Sequence, residues 1–176
     1  MRAAIDGPPC AQPELLADSL AAPLRVLGRP FAHVHASSFW RDASLRLEYG
    51  REDADGYLDW LDAGALRREV LDARGWYLPS LRDPVTNRAT RAGREPLPDN
   101  AVIVVSGAFL LGLGLPFDCV VHLQMSPAAR ARHTPADEGW TLPAFKRYDT
   151  EVAPVELADV VVKIDDPRHP AVRFNR

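Results

Sequence analysis

The sequence predicts an α/β fold with a mainly parallel sheet, and three observations predict it. Ala3-Ala4-Ile5 is a short apolar run that ends in Asp6-Gly7, crosses a proline-rich loop and enters a segment with helical spacing. Ala101-Val102-Ile103-Val104-Val105 is continuous and β-branched rather than alternating, the pattern of a strand covered on both faces. Extended runs of this kind then alternate with helix-spaced segments along the chain. At 176 residues, 47% of them hydrophobic, the chain fits one domain over residues 1–176 with a sizeable core.

Each element has a local reason. The first strand is Ala3 to Ile5. Leu15, Leu16, Leu20, Leu24 and Leu27 recur every three to four residues, predicting a helix from about Pro13 to Leu27. Pro13 suits its first position and Glu14 its first turn, and Pro23 bends it or ends its regular part. Gly28-Arg29-Pro30 ends it, and Phe31 to His35 alternates as a strand. Ser37 to Gly56 is a charged loop whose aromatic residues read equally as a cap over a pocket or as a solvated segment. A second helix is expected over Tyr57 to Asp72, weakened at Gly64. Trp76 to Arg82 reads as extended, Asp83-Pro84-Val85-Thr86-Asn87 as a turn, and residues 88 to 100 as a loop. Strands follow at Ala101 to Val105 and Asp118 to Met125, with a short helix starting near Phe109 to Leu111. Ser126 is an N-cap for a helix carrying Arg130 and Arg132. A further helix covers Thr141 to Val152, a last strand Asp159 to Ile164, and residues 165–176 form a tail.

Charge and composition exclude several classes. A net charge of −3 argues against nucleic acid or an anionic membrane as the partner. No run reaches the roughly 18 apolar residues of a membrane span, and no apolar segment follows a basic start as in a signal peptide. Cys10 and Cys119 belong to no CxxC or Cys/His cluster, so no metal site is implied. A reduced, cytoplasmic setting is the expectation. His33, His35 and His122 fall in strands, and spacing alone argues for no Ser-His-Asp set.

Function hangs on the stretch from Arg2 to Leu20. A strand, a tight loop and a helix form the layout that holds a nucleotide phosphate. In parallel sheets ligands sit outside the carboxyl ends of the strands. Those ends are Asp6-Gly7, His35 to Phe39, Ser106-Gly107 and Met125-Ser126.

Several motifs fall in a familiar order. They are Ile5-Asp6-Gly7 with Leu16-Ala17-Asp18; Ser37-Ser38-Phe39; Arg46 to Arg51 with Gly56-Tyr57; Arg82-Asp83-Pro84; Ser106-Gly107-Ala108-Phe109-Leu110; and Ala158-Asp159 with Asp166-Pro167. This order resembles the uridine kinase and phosphoribulokinase-like group of P-loop kinases, nearest a bacterial uridine-kinase-like subgroup. The resemblance implies a three-layer P-loop NTPase-like fold, about five strands flanked by helices. It also implies a lid over residues 126–140 bearing Arg130 and Arg132. Ser37, Asp83 and Ser106 fall at family catalytic positions, Ser37 and Ser106 where the family carries acidic residues. Phe39, Tyr49, Tyr57 and Arg82 fall where an acceptor pocket would be.

The phosphate loop departs from the family. Its motif needs two glycines to wrap the phosphates, a lysine to neutralise them and a Ser/Thr for Mg²⁺. Gly7 keeps the first glycine, but Gln12, Pro13 and Glu14 replace the other three. Lys146 and Lys163 are the only lysines, and either would have to substitute from late in the chain. Two main readings stand. In the first, the protein has no ordinary kinase activity, needs no cofactor, and binds a small polar or nucleoside-like ligand, with a homodimer as a possible assembly. In the second, it is an ATP- and Mg²⁺-dependent kinase of a nucleoside-type hydroxyl that uses displaced residues. A different enzyme on the same scaffold, with Asp83 or Glu14 as acid/base, has no specific support.

Overall fold

The computed structural model describes residues 1–175. In chain order the elements are β1 (Arg2–Asp6), α1 (Pro13–Ser19), α2 (Ala21–Val26), β2 (Phe31–His35), α3 (Ala43–Arg46), α4 (Ala54–Tyr57) and α5 (Ala63–Leu66). They continue with β3 (Gly75–Tyr77), β4 (Glu95–Leu97), β5 (Val102–Gly107), β6 (Cys119–Gln124), α6 (Pro127–His133), α7 (Leu142–Glu151), α8 (Pro154–Leu157), β7 (Val160–Lys163) and β8 (Ala171–Phe174). A six-stranded sheet runs β2-β5-β1-β6-β7-β8. Its first five strands are mutually parallel, and β8 closes the edge antiparallel to β7.

The central strands have no polar face because both faces are covered. Every residue of β5 is buried, as are Ala3 to Asp6 of β1. Ala4, Ile103 and Val105 face one core with Val34, Leu66 and Val70. Ala3, Ile5, Val102 and Val104 face the other, where Ala17 of α1 and Ala129 of α6 pack. Small residues let these helices approach the sheet closely. A third cluster lies among Tyr57 of α4, Phe109 and Leu111 of the segment after β5, and Phe145 and Tyr148 of α7.

Several expected elements are corrected. The first helix is two helices. Pro23 has no N–H for the Ser19 carbonyl, and the chain restarts at Ala21, with the Leu24 N–H reaching the Leu20 carbonyl at 3.0 Å. The second helix does not run through from Tyr57. Leu61 bridges Trp40, and Asp62 caps a new start by accepting the Ala65 N–H at 2.8 Å. Its end widens to a π-turn over Arg67–Leu71. The loop expected at residues 88–100 contains β4, paired with β3. Phe109 to Leu111 form no helix, and Phe109 takes φ +61°. The tail supplies the sixth strand, β8, a short apolar run whose four residues are all exposed. No helix among the described residues is long and apolar enough to cross a membrane.

Candidate functional site

The carboxyl ends of β1, β2 and β5 meet under the loop from Gly7 to Glu14. Gly7 sits where a Cβ would come within 2.8 Å of the Leu123 Cβ, so packing against β6 requires a glycine there. Its N–H donates to the Gly107 carbonyl at 3.0 Å. Pro8, Pro9 and Pro13 have no N–H. A turn over Pro9–Ala11 uses two more donors, Ala11 to the Pro8 carbonyl at 2.8 Å and Gln12 to the Pro9 carbonyl at 2.9 Å. At most Cys10 and Glu14 remain as backbone donors between residues 7 and 14. Gln12 is left-handed at φ +55°, the conformation a glycine adopts without strain. Glu14 opens α1 and lines a cavity of about 200 Å³ with Ser37 and Gly107.

A second cavity of about 270 Å³ shares part of its wall with the first. Pro9, Trp40, Tyr57 and Trp60 line both. Trp140, Phe145 and Glu138 complete the second. The wall is built of edge-to-face rings, with Tyr57 and Trp60 4.8 Å apart between centroids and Trp40 and Trp60 5.1 Å apart, a preferred aromatic geometry. The Arg46 guanidinium lies over Trp60 at 4.6 Å and over Trp40 at 5.1 Å. Burial, and secondarily the charges of Glu138 and Glu14, hold the Tyr57 phenol far above its usual range.

The predicted residues are distributed as follows. Ser37 and Tyr57 line the cavities. Phe39 is fully buried in the core beneath Leu61 and Leu66, and Tyr49 is exposed on the surface. Arg82 pairs with Asp42 at 2.9 Å and donates to the Asn87 carbonyl at 2.7 Å. Asp83 anchors its own turn by accepting from the Val85 and Thr86 N–H groups and the Thr86 hydroxyl. These bonds, chiefly those of Thr86, keep its carboxyl below the usual range. Arg130 is buried, pairs with Asp149 at 2.7 Å and lies 5.2 Å from the Phe145 ring, whereas Arg132 is exposed. Lys146 and Lys163 are exposed, and neither lines the two cavities.

Ser106 is fully buried. His33 Nε2 lies 2.8 Å from its hydroxyl, and His33 Nδ1 lies 2.7 Å from Asp18. A carboxylate only accepts, so Nδ1 donates to Asp18, while the direction of the Nε2–Ser106 bond follows the protonation of the ring. This is the connectivity of a serine relay, but a hydroxyl with no exposed surface meets no substrate. The chain ties α1 and β2 to β5. A second buried network holds Asp6, which accepts from the Leu110 N–H at 2.9 Å and from Tyr148 at 3.2 Å, and sits 2.7 Å from His122 Nδ1. Sequence reading placed Asp6 at a strand end without assigning it a partner. It singled out neither Trp60 nor the pair Glu138 and Trp140, which stands far along the chain from it. Among the described residues no group of three His, Cys, Asp or Glu gathers as a metal site.

Neither a protein-family model nor a curated protein matches the sequence. Solved structures do. One, a possible uridine kinase from Bacillus stearothermophilus, has a TM-score of 0.73 and 23% identity over 92% of this chain and 87% of that one. The fold is that of the uridine kinase and phosphoribulokinase group. The P-loop kinase fold is shared with phosphoribulokinase from Rhodobacter spheroides (TM-score 0.63, 12% identity, 99% and 79% covered). It is shared too with a putative fructose transport system kinase from Silicibacter sp. TM1040 (TM-score 0.58, 21% identity, 82% and 84% covered). The loop from Gly7 to Glu14 lies between the first strand and the first helix.

Proposed function

We propose that this chain is a uridine-kinase-like P-loop protein whose ATP and Mg²⁺ site has lost its working groups, and that it acts as a binding or regulatory module for a small polar ligand. The observation that carries this reading is the donor count in the loop. A phosphate cradle needs several convergent backbone N–H groups and a cation. This loop has three prolines and spends three N–H groups on carbonyls. Glu14 adds a negative charge where the phosphate would sit, and that carboxylate itself satisfies the helix terminus.

The ATP and Mg²⁺ that the kinase reading calls for do not fit these residues. Ser37 and Ser106 stand where acidic groups would serve the acceptor hydroxyl and the metal. A serine takes up no proton at neutral pH, and the Ser106 hydroxyl is already committed to His33. The lid position offers Arg130, but Asp149 neutralises it. These residues supply no complete set of groups for phosphoryl transfer. The kinase activities named for the structural neighbours remain properties of those proteins.

Thermal melting with Mg-ATP tests the proposal. A ligand at 100 times its Kd adds about 2.7 kcal/mol of stability, which reads as a clear rise in Tm. The expected result is no shift at millimolar Mg-ATP. A Mg²⁺-dependent rise overturns the reading.

A further inference from the structure

We propose that Arg46 of α3, with Arg82 beside it, binds the carboxylate of a small organic acid. The inference goes beyond the reading above and stands whether or not the loop from Gly7 to Glu14 takes a nucleotide.

Arg46 is nine-tenths buried, with 9% of its surface exposed. Its guanidinium is seated over the Trp60 ring at 4.6 Å and the Trp40 ring at 5.1 Å, a contact with the ring faces that leaves its N–H groups without acceptors. Its Nε–H donates to the Arg41 carbonyl at 2.9 Å. Nη1 and Nη2 have no acceptor among the described residues. They are not sealed in, because the wholly enclosed unpaired nitrogens among those residues are on Trp60 and Arg130. The outer edge of the Arg46 fork therefore keeps exposed surface. A largely buried cation with unpaired donors calls for a partner.

The neighbouring charges select that partner. Burial, then repulsion from Arg82, holds the Arg46 pKa below its usual range, against the opposing pull of Asp42. Asp42 caps α3 one turn before Arg46, but it forms no ion pair with it. Its Oδ1 accepts from the Ser44 N–H and hydroxyl, each at 2.9 Å, and its Oδ2 takes Arg82 at 2.9 Å. Two guanidiniums thus share one carboxylate, which leaves a single positive charge in excess. A monoanion balances that excess, whereas a phosphate dianion overbalances it beside Asp42. A carboxylate also matches the guanidinium fork, taking two parallel N–H···O bonds. The Arg82 side chain is 26% exposed, so it is open to the same ligand.

The test is a heteronuclear NMR titration of the full chain, read at the Arg46 Nε–H and Trp40 indole signals. Acetate or inorganic phosphate replaces chloride at constant ionic strength, so that screening alone moves nothing. Acetate is expected to shift both signals saturably, with a Kd on the order of millimolar, and to bind more tightly than phosphate. Asp42→Asn keeps the helix cap and removes the competing charge. Acetate should then bind severalfold more tightly, and phosphate should gain more than acetate. Arg82→Gln removes the second cation and should weaken acetate severalfold. Arg46→Lys keeps the charge but loses the fork, and should weaken acetate at least about tenfold. The proposal is overturned by the absence of a saturable shift, or by phosphate binding as tightly as acetate to the native chain. It is overturned as well by an acetate affinity unchanged in both Asp42→Asn and Arg82→Gln, or retained in a folded Arg46→Lys protein. Asp42 and Arg82 are partly exposed, so their variants decide the matter should Arg46→Lys fail to fold.

Discussion

Gly7 and Gln12 share one loop but answer to opposite constraints. At Gly7 the backbone is crowded, and a Cβ would overlap the Leu123 Cβ at 2.8 Å. Gly7→Ala should therefore destabilise by about 1–3 kcal/mol, as overpacking does, read as a loss in denaturant midpoint at constant slope. At Gln12 the strain lies in the dihedrals, φ +55°. A left-handed conformation costs a non-glycine residue roughly 1–2 kcal/mol, so Gln12→Gly should raise stability or leave it unchanged. Gain of Mg-ATP binding is not expected from it, because Pro13 and Glu14 remain. His35 gives a residue-scale pH effect. Burial, then the neighbouring His33, lowers its pKa, against the opposing pull of Glu14 and Asp18. The folded state thus disfavours protonated His35. Its contribution is present above the unfolded value near 6.5 and is lost as pH falls through the lower folded value. The Tm should fall as pH drops below about 6.5, and His35→Gln should flatten that fall.

At the scale of elements, caps and breaks decide what periodicity leaves open. The apolar spacing of Leu58, Leu61, Leu66 and Val70 reads as one helix, but Leu61 is drawn out to bridge Trp40. The chain then needs a new start, and Asp62 provides it by accepting the Ala65 N–H. Asp62→Ala should cost about 1 kcal/mol, the usual loss of a helix cap, measured by chemical unfolding. The break has a consequence for the site. It turns Trp60 away from a helical surface and into the aromatic wall beside Tyr57. The first helix shows the same principle from the other side. There the break was legible in Pro23, because a missing N–H is a property of one residue.

For the whole molecule, the sheet order places the ends of β1, β2 and β5 together, and the candidate site follows from that placement. The edge is handled separately. β8 covers the last strand of the parallel set but buries little, all of its residues being exposed. Deletion from Arg168 onward should leave the central sheet folded and uncover an unpaired β7 edge. Such edges recruit other chains, so the expected outcome is retained far-UV dichroism with increased association by light scattering.

By itself the sequence determined the parallel sheet, the strand–loop–helix layout at the start, and the residue types in the loop. Continuous apolar runs, prolines and the identities of Gln12, Pro13 and Glu14 are local properties, and local properties survive in a string of letters. Tertiary structure alone decided which groups meet. His33 reaches Ser106 across 73 positions, Asp6 reaches His122 across 116, and Trp60 joins Trp140 at 5.8 Å. Those partnerships depend on strand order and register, which bring distant residues side by side only after the sheet has formed. For the same reason Phe39 and Tyr49, near neighbours in one charged loop, part company. One is held in the core by packing and the other is left in solvent, since burial is set by what the rest of the chain places above each residue.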